Sequence, residues 1–219
     1  NNQINNLDIS KNIKLTWLDC SKNQLTDLDI SKNLELTVLL CSNNQLNNLD
    51  VNKNIKLIFL FCFNNQLSNL DISKNIQLTY LQCFNNQLSN LDISKNTNLT
   101  QLGCSNNQLN NLDISKNIQL TYLACSQNQL DNLSISKNIK LEELYCNNNQ
   151  LASLDISPLP NLGKLHCCYQ AEGFTLYLTN KQKSIFSKSN YCNAILKEKD
   201  GSICEVEWLD IYPNPTAGK

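Results

Sequence analysis

The chain has 219 residues, 18 lysines and no arginine against 19 acidic residues, and a net charge of −1. That balance argues against a nucleic-acid partner, because phosphate neutralisation needs a basic excess, and the length suits one domain of ordinary size with an appendage. The longest apolar run, Leu57 to Phe63, is seven residues, far short of the ~20 that a membrane-spanning helix requires.

The chain opens inside a repeat, at Asn1-Asn2-Gln3-Ile4, so the absence of a leader there says nothing about location. Cysteine then recurs every 21 residues, at Cys20, Cys41, Cys62, Cys83, Cys104, Cys125, Cys146 and Cys167. A fixed period of this length means near-identical units stacked in one dimension, an architecture that presents a surface more often than it encloses a pocket. The fullest unit runs Leu15-Thr-Trp-Leu18-Asp-Cys20-Ser-Lys-Asn23-Gln-Leu25-Thr-Asp-Leu28-Asp29-Ile30-Ser31-Lys32-Asn33. Apolar residues alternate around the cysteine, as in Leu18 and Cys20, and alternation marks a short strand. Equivalent strands one coil apart pair in parallel at about 4.8 Å. Leu15, Leu18, Cys20, Leu25, Leu28 and Ile30 then point inward. A coil this short has no room for a strand and a long helix, so Leu28-Asp29-Ile30 is expected to be extended or a short 3₁₀ turn. Extended chain on both sides predicts weak curvature.

A second ladder comprises Asn2, Asn23, Asn44, Asn65, Asn86, Asn107, Asn128 and Asn149. Each follows a strand where the chain must turn, and a buried amide there can bind backbone groups of its own and neighbouring coils. The ladder ends at Gln170, and Pro158 and Pro160 mark a terminating coil.

The pattern LxxLxCxxNxL resembles the leucine-rich-repeat signature, with cysteine at the third apolar site. The nested LxxLDISKN half makes the unit similar to the short 21-residue class of bacterial leucine-rich repeats. The resemblance covers residues 1 to 168. It implies a mainly β solenoid with a parallel sheet of eight short strands on one face and extended or 3₁₀ segments on the other.

In-register cysteines point the same way, which suits neither a disulfide nor a tetrahedral zinc site; they read as small buried hydrophobes. Cys168, Cys192 and Cys204 lie outside the ladder. A secreted protein permits one disulfide among them, with Cys192 to Cys204 the first expectation. Asp8, Asp29, Asp50, Asp71, Asp92, Asp113 and Asp155 form a carboxylate ladder, and Lys11, Lys32, Lys53, Lys74, Lys95, Lys116 and Lys137 follow three positions later. This reads as a self-neutralising convex face whose aspartates accept backbone hydrogen bonds; calcium between neighbouring aspartates is the alternative. His166, the single histidine, reads as an ordinary surface residue. No cofactor, metal or catalytic constellation is expected.

The units differ at the strand positions that point outward. Phe59, Phe61, Phe63, Tyr80 and Phe84 are expected to form one continuous patch, with Trp17, Val38 and Leu40 on one flank, Tyr122 on the other and Tyr145 farther along. Apolar patches of this size usually mark an interaction site, and aromatics dominate binding hot spots.

After Gln170 the period is lost. Residues 169–209 read as a cap, with a short helix from Thr179 to Lys188 and a hairpin of Tyr191–Glu198 with Ser202–Trp208 around Asp200-Gly201. The segment Ile211-Tyr-Pro-Asn-Pro-Thr-Ala-Gly-Lys219 resembles the opening of the C-terminal sorting domain of type IX secretion in Bacteroidota, placing a truncated copy at residues 210–219. These resemblances imply a secreted or cell-surface bacterial protein, adhesin-like and not an enzyme. It would hold an extracellular or host protein on its aromatic strand face. A glycan on the same face, self-association into a homo-oligomer, and a passive spacer role are the alternatives.

Overall fold

The structure, a computed structural model, describes residues 2–186 and 194–198. Ahead of each ladder cysteine lies a three-residue strand: β1 (Trp17–Asp19), β2 (Val38–Leu40), β3 (Phe59–Phe61), β4 (Tyr80–Gln82), β5 (Gln101–Gly103), β6 (Tyr122–Ala124) and β7 (Glu143–Tyr145). After β8 (Ser153–Asp155), β9 (Lys164–His166) completes an eight-stranded parallel sheet in the order β1-β2-β3-β4-β5-β6-β7-β9. Register advances one unit per strand, so Phe59 lies between Val38 and Tyr80. The expected solenoid is therefore what forms. The central residue of each strand and the following cysteine point inward, and Cys41 through Cys146 are fully buried. All eight ladder cysteines are free thiols.

The chain leaves the sheet through a left-handed residue two positions after each cysteine, with φ between 52° and 57° from Lys22 to Tyr169. A side chain there crowds its own carbonyl, which asparagine tolerates better than most residues. Five of the eight positions are asparagine, at Asn43, Asn64, Asn85, Asn106 and Asn148. The bend brings the next residue, the expected asparagine ladder, back over the turn. Asn44 donates from Nδ2 to the Cys41 carbonyl at 3.0 Å and to the Cys20 carbonyl one coil back at 3.1 Å, while its Oδ1 accepts the Leu25 N–H at 3.1 Å.

A second amide ladder, which the sequence reading did not single out, runs inside the opposite turn. Asn33, Asn54, Asn75, Asn96, Asn117 and Asn138 are fully buried. Each donates backwards to two carbonyls of the preceding coil; for Asn75 these are Val51 at 3.0 Å and Asn54 at 2.9 Å. Both ladders end on a glutamine. Gln170 donates to the Cys146 carbonyl at 2.7 Å and accepts the Leu151 N–H at 3.1 Å. Gln182 donates to the Ile156 and Leu159 carbonyls at 2.7 and 2.9 Å. In the second case the equivalent ladder position holds Leu159, and the amide arrives from a later element.

On the convex side the chain is turns and extended segments until β8, the first described strand there. The aspartates there accept the N–H two residues on, as Asp29 does from Ser31 at 2.8 Å. Those N–H groups, and then the serine hydroxyls, hold Asp29, Asp71, Asp92 and Asp113 below the ordinary carboxylate range. Among the described residues no ladder aspartate makes an ion pair with a ladder lysine; the pairs that form are Glu35–Lys56 and Glu143–Lys164. Local N–H groups, rather than salt bridges, carry most of the compensation, with Lys32 and Lys53 acting on Asp29 through the field. No three of the described His, Cys, Asp or Glu side chains converge on a metal position.

At the end of the array, β8 pairs in parallel with β10 (Thr175–Leu178), and β10 with β11 (Ile195–Glu198). The expected helix forms as α1 (Asn180–Phe186). Thr179 caps it in a reciprocal box, accepting the Gln182 N–H while its own N–H meets the Gln182 Oε1. The second hairpin strand, the sorting segment, Cys192 and Cys204 lie outside the described residues. Cys168 is disulfide-bonded. No helix among the described residues is long and apolar enough to cross a membrane.

Replacing Asn75 by alanine removes two inter-coil bonds and strands two buried carbonyls, partly offset because the Asn75 Oδ1 is itself buried without a partner. The expected cost is about 1–3 kcal/mol, read from urea unfolding; an unchanged midpoint would show that the carbonyls find other donors. Burial also pushes the Cys20 thiol up to about 11 and the Cys83 thiol to about 12. The thiolate is the reactive form, so the ladder cysteines should resist alkylation at pH 8 in the native chain and react fully in denaturant, as residue-level mass mapping would show.

Candidate functional site

Three rows of outward side chains run along the sheet, one from each end of the strands and one from the residue after the cysteine. Their composition changes along the array. On β1 to β4 the rows hold Trp17, Val38, Leu40, Phe59, Phe61, Tyr80 and, beyond the cysteines, Phe63 and Phe84. Trp17 is 61 % exposed, and the others are half-buried by their neighbours. Asp19 is the one charged side chain in these rows over the first four coils.

Register turns the aromatics into stacks. Phe59 and Tyr80 lie with ring centroids 4.5 Å apart and planes within 9°. Phe63 and Phe84 lie 4.3 Å apart within 10°. Phe61 stands between the two stacks, with Leu40 and Gln82 as its cross-strand neighbours. Since each stacked ring covers a face of the next along the solenoid axis, the rings present their edges outward. Beside the Phe63–Phe84 stack, the left-handed asparagines join through their side chains, Asn64 to Asn43 at 2.7 Å and Asn106 to Asn85 at 2.6 Å.

The patch stops at β5. Gln101 separates Tyr80 from Tyr122, and the Gln82 amide lies over Gly103, where a Cβ would collide with it. Tyr122 therefore does not flank the phenylalanine patch as the sequence suggested. It belongs to a second group at the C-terminal end of the sheet. Tyr122 and Tyr145 are tilted at 44° with centroids 5.6 Å apart, and Tyr145 stacks on His166 at 5.0 Å. The Tyr145 hydroxyl donates to Glu143 Oε2 at 2.9 Å, and Lys164 pairs with Glu143 Oε1 at 2.9 Å. The Lys164 contact and then the tyrosine hydroxyl hold the Glu143 carboxyl below its ordinary value, while the same pairing raises Lys164. Burial, then the bond to Glu143, raises Tyr145, and burial raises Tyr122. His166, exposed and stacked, acquires a neighbour that its position in the sequence did not announce; the cross-strand register is the signal that could have found it.

The face thus has two parts: an apolar half with aromatic edges on β1 to β4, and a polar aromatic group on β6 to β9, divided by a neutral coil. Nothing in either part positions a nucleophile beside a base. The arrangement offers contact area and hydrogen bonding.

No protein-family profile and no curated protein sequence matches the chain. Among solved structures, the functional domain of InlJ from Listeria monocytogenes, described as including a cysteine ladder, is similar at 38% identity with a TM-score of 0.75, over 82% of this chain and 44% of that one. A leucine-rich-repeat protein of Leptospira interrogans is similar at 27% identity with a TM-score of 0.71, over 82% of this chain and 48% of that one. Internalin C2 of Listeria monocytogenes shares the fold at 20% identity with a TM-score of 0.70, over 86% and 83%. The chain has the leucine-rich-repeat fold of these bacterial proteins and spans less than half the length of the first two.

Replacing Tyr145 by phenylalanine removes one of the two contacts that stabilise the Glu143 carboxylate. Its pKa should then rise toward the ordinary 4.5, so that Glu143 protonates at higher pH than in the parent chain. Side-chain NMR titration would show this, and an unmoved value would mean that Lys164 alone sets it.

Proposed function

We propose that this chain is a non-enzymatic binding module, secreted or held at a bacterial cell surface, that grips a protein partner with the apolar half of its strand face. One observation carries the reading: four consecutive coils place eight apolar or aromatic side chains outward in register on a sheet whose core is already complete. Leaving such a patch in water is unfavourable by about 25 cal/mol per Å², and an aromatic patch with little charge is the composition of a binding hot spot. The disulfide at Cys168 suits an oxidising compartment, in keeping with the sorting-domain resemblance at the C-terminus.

Ring orientation favours a protein over a glycan. Sugars stack on outward aromatic faces, but one face of each of Phe59, Tyr80, Phe63 and Phe84 is covered by its stacking partner and the other is directed along the solenoid axis rather than outward. Outward ring edges carry the positive end of the quadrupole and suit carbonyl oxygens or the face of a partner's aromatic ring. The amides of Asn43 and Asn64, half-buried, and of Asn85 and Asn106, exposed, add hydrogen-bonding groups along one margin.

The test is binding of the chain to an array of extracellular-matrix proteins and glycans, beside a Phe61→Asp, Phe84→Asp variant whose fold is verified by circular dichroism. A protein hit weakened by about a hundredfold or more in the variant, as expected from losing two hot-spot residues, supports the reading. A hit kept by the variant moves the site off the face, and a hit abolished by free glycan establishes the sugar alternative.

A further inference from the structure

A second apolar feature lies away from the strand face, on the turn that leads into each strand. Ile13, Leu34, Ile55, Ile76, Ile118 and Ile139 occupy one position of the period and are 48 to 59 % exposed. In-register coils space them about 4.8 Å apart, interrupted once by Thr97.

The turn does not need an aliphatic residue. Around Thr97 the closing bonds are Asn96 N–H to the Ile93 carbonyl at 3.0 Å and Leu99 N–H to the Asn96 carbonyl at 3.1 Å. Around Ile76 the equivalent bonds, from Asn75 to Ile72 and from Leu78 to Asn75, are also 3.0 and 3.1 Å. Surface turns ordinarily carry polar residues, so a repeated isoleucine here answers to something outside the fold.

The charges next to the row are mostly lysines. An exposed lysine stands two residues before every member, from Lys11 to Lys137, and Lys14, Lys56 and Lys140 directly follow three of them. Glu35, the acid that directly follows Leu34, is already paired with Lys56. The ladder aspartates precede the lysines by three residues; their carboxylates are bonded to their own backbone N–H groups and stay ionised, but among the described residues they make no ion pair with the ladder lysines, which stand between them and the row in sequence.

We propose that this edge docks on an anionic phospholipid bilayer, lying on it rather than crossing it. The isoleucine row would enter the headgroup boundary, and the lysine row would meet lipid phosphates. A row of aliphatics flanked by lysines is the chemistry of interfacial anchoring. The row repeats one aliphatic position coil after coil and carries no aromatic anchor, so it matches a fluid apolar boundary better than the shaped hot spot of a protein. The proposal is independent of the strand-face reading, because no residue is shared between them.

The experiment is co-sedimentation of the full chain with vesicles of equal parts phosphatidylcholine and phosphatidylglycerol. Vesicles of phosphatidylcholine alone serve as the control, and thermal unfolding verifies each variant. Binding to the anionic vesicles only is expected, with partition weakened about tenfold in an Ile55→Ser, Ile76→Ser variant and about tenfold in a Lys53→Gln, Lys74→Gln variant. The Phe61→Asp, Phe84→Asp variant should bind vesicles like the parent. Failure to bind anionic vesicles overturns the proposal, as does equal binding by the isoleucine variant or a loss confined to the phenylalanine variant. Capture by poly-glutamate without capture by vesicles also overturns it and assigns the edge to an acidic protein.

Discussion

In the core, the turns and the convex side, most side chains of the array have a near-copy one coil above and one below, and this self-adjacency limits what each position can be. Leucine, isoleucine and cysteine accept it without cost, because apolar groups pack on their own kind. Asparagine accepts it because an amide is donor and acceptor at once, which is why, Ser42 and Ser126 apart, the buried polar positions of the described residues are amides. Charged residues accept it only where something local neutralises them. The aspartates have the N–H two residues on, and the lysines reach into water. The core, both amide ladders and the convex face all follow from this rule.

The same rule makes the array hard to end. The last coil leaves carbonyls that the next asparagine would have bound, and an exposed row of them invites pairing with another chain. Two glutamines meet that need. Gln170 continues the first ladder at its own place in the period, and Gln182 reaches the second from helix α1. The extra methylene lets the amide arrive from a backbone that no longer follows the coil. The capping box at Thr179 holds the Gln182 backbone in place for that reach.

The sheet, the inward leucines and the first asparagine ladder could be read from the sequence, because period and alternation encode them directly. Asn33 and its equivalents were harder to see. They stand in the polar run Ser31-Lys32-Asn33 at a turn, where burial depends on which side of the backbone faces the core. The exposed isoleucines are hard to see for the opposite reason, because an apolar residue on a fixed period ordinarily points inward. Within the face, alternation alone places the strand ends outward, but it does not reveal where the apolar surface breaks. Gln101 and Gly103 lie between Tyr122 and the phenylalanines, and the Tyr145–His166 stack depends on which residues face each other across strands.

Gly103 and the Gln82 amide laid over it make the fifth coil the thinnest point of the strand face. Because one coil is one period, the chain can be edited by whole turns without disturbing any ladder. Excising residues 91–111 would join Asn90 to Leu112, reproducing the local order of the parent. Tyr80 would then meet Tyr122 across adjacent strands, merging the two aromatic groups into one uninterrupted surface. Recognition in such a molecule can be rewritten by changing the number of turns, while the interior chemistry stays the same.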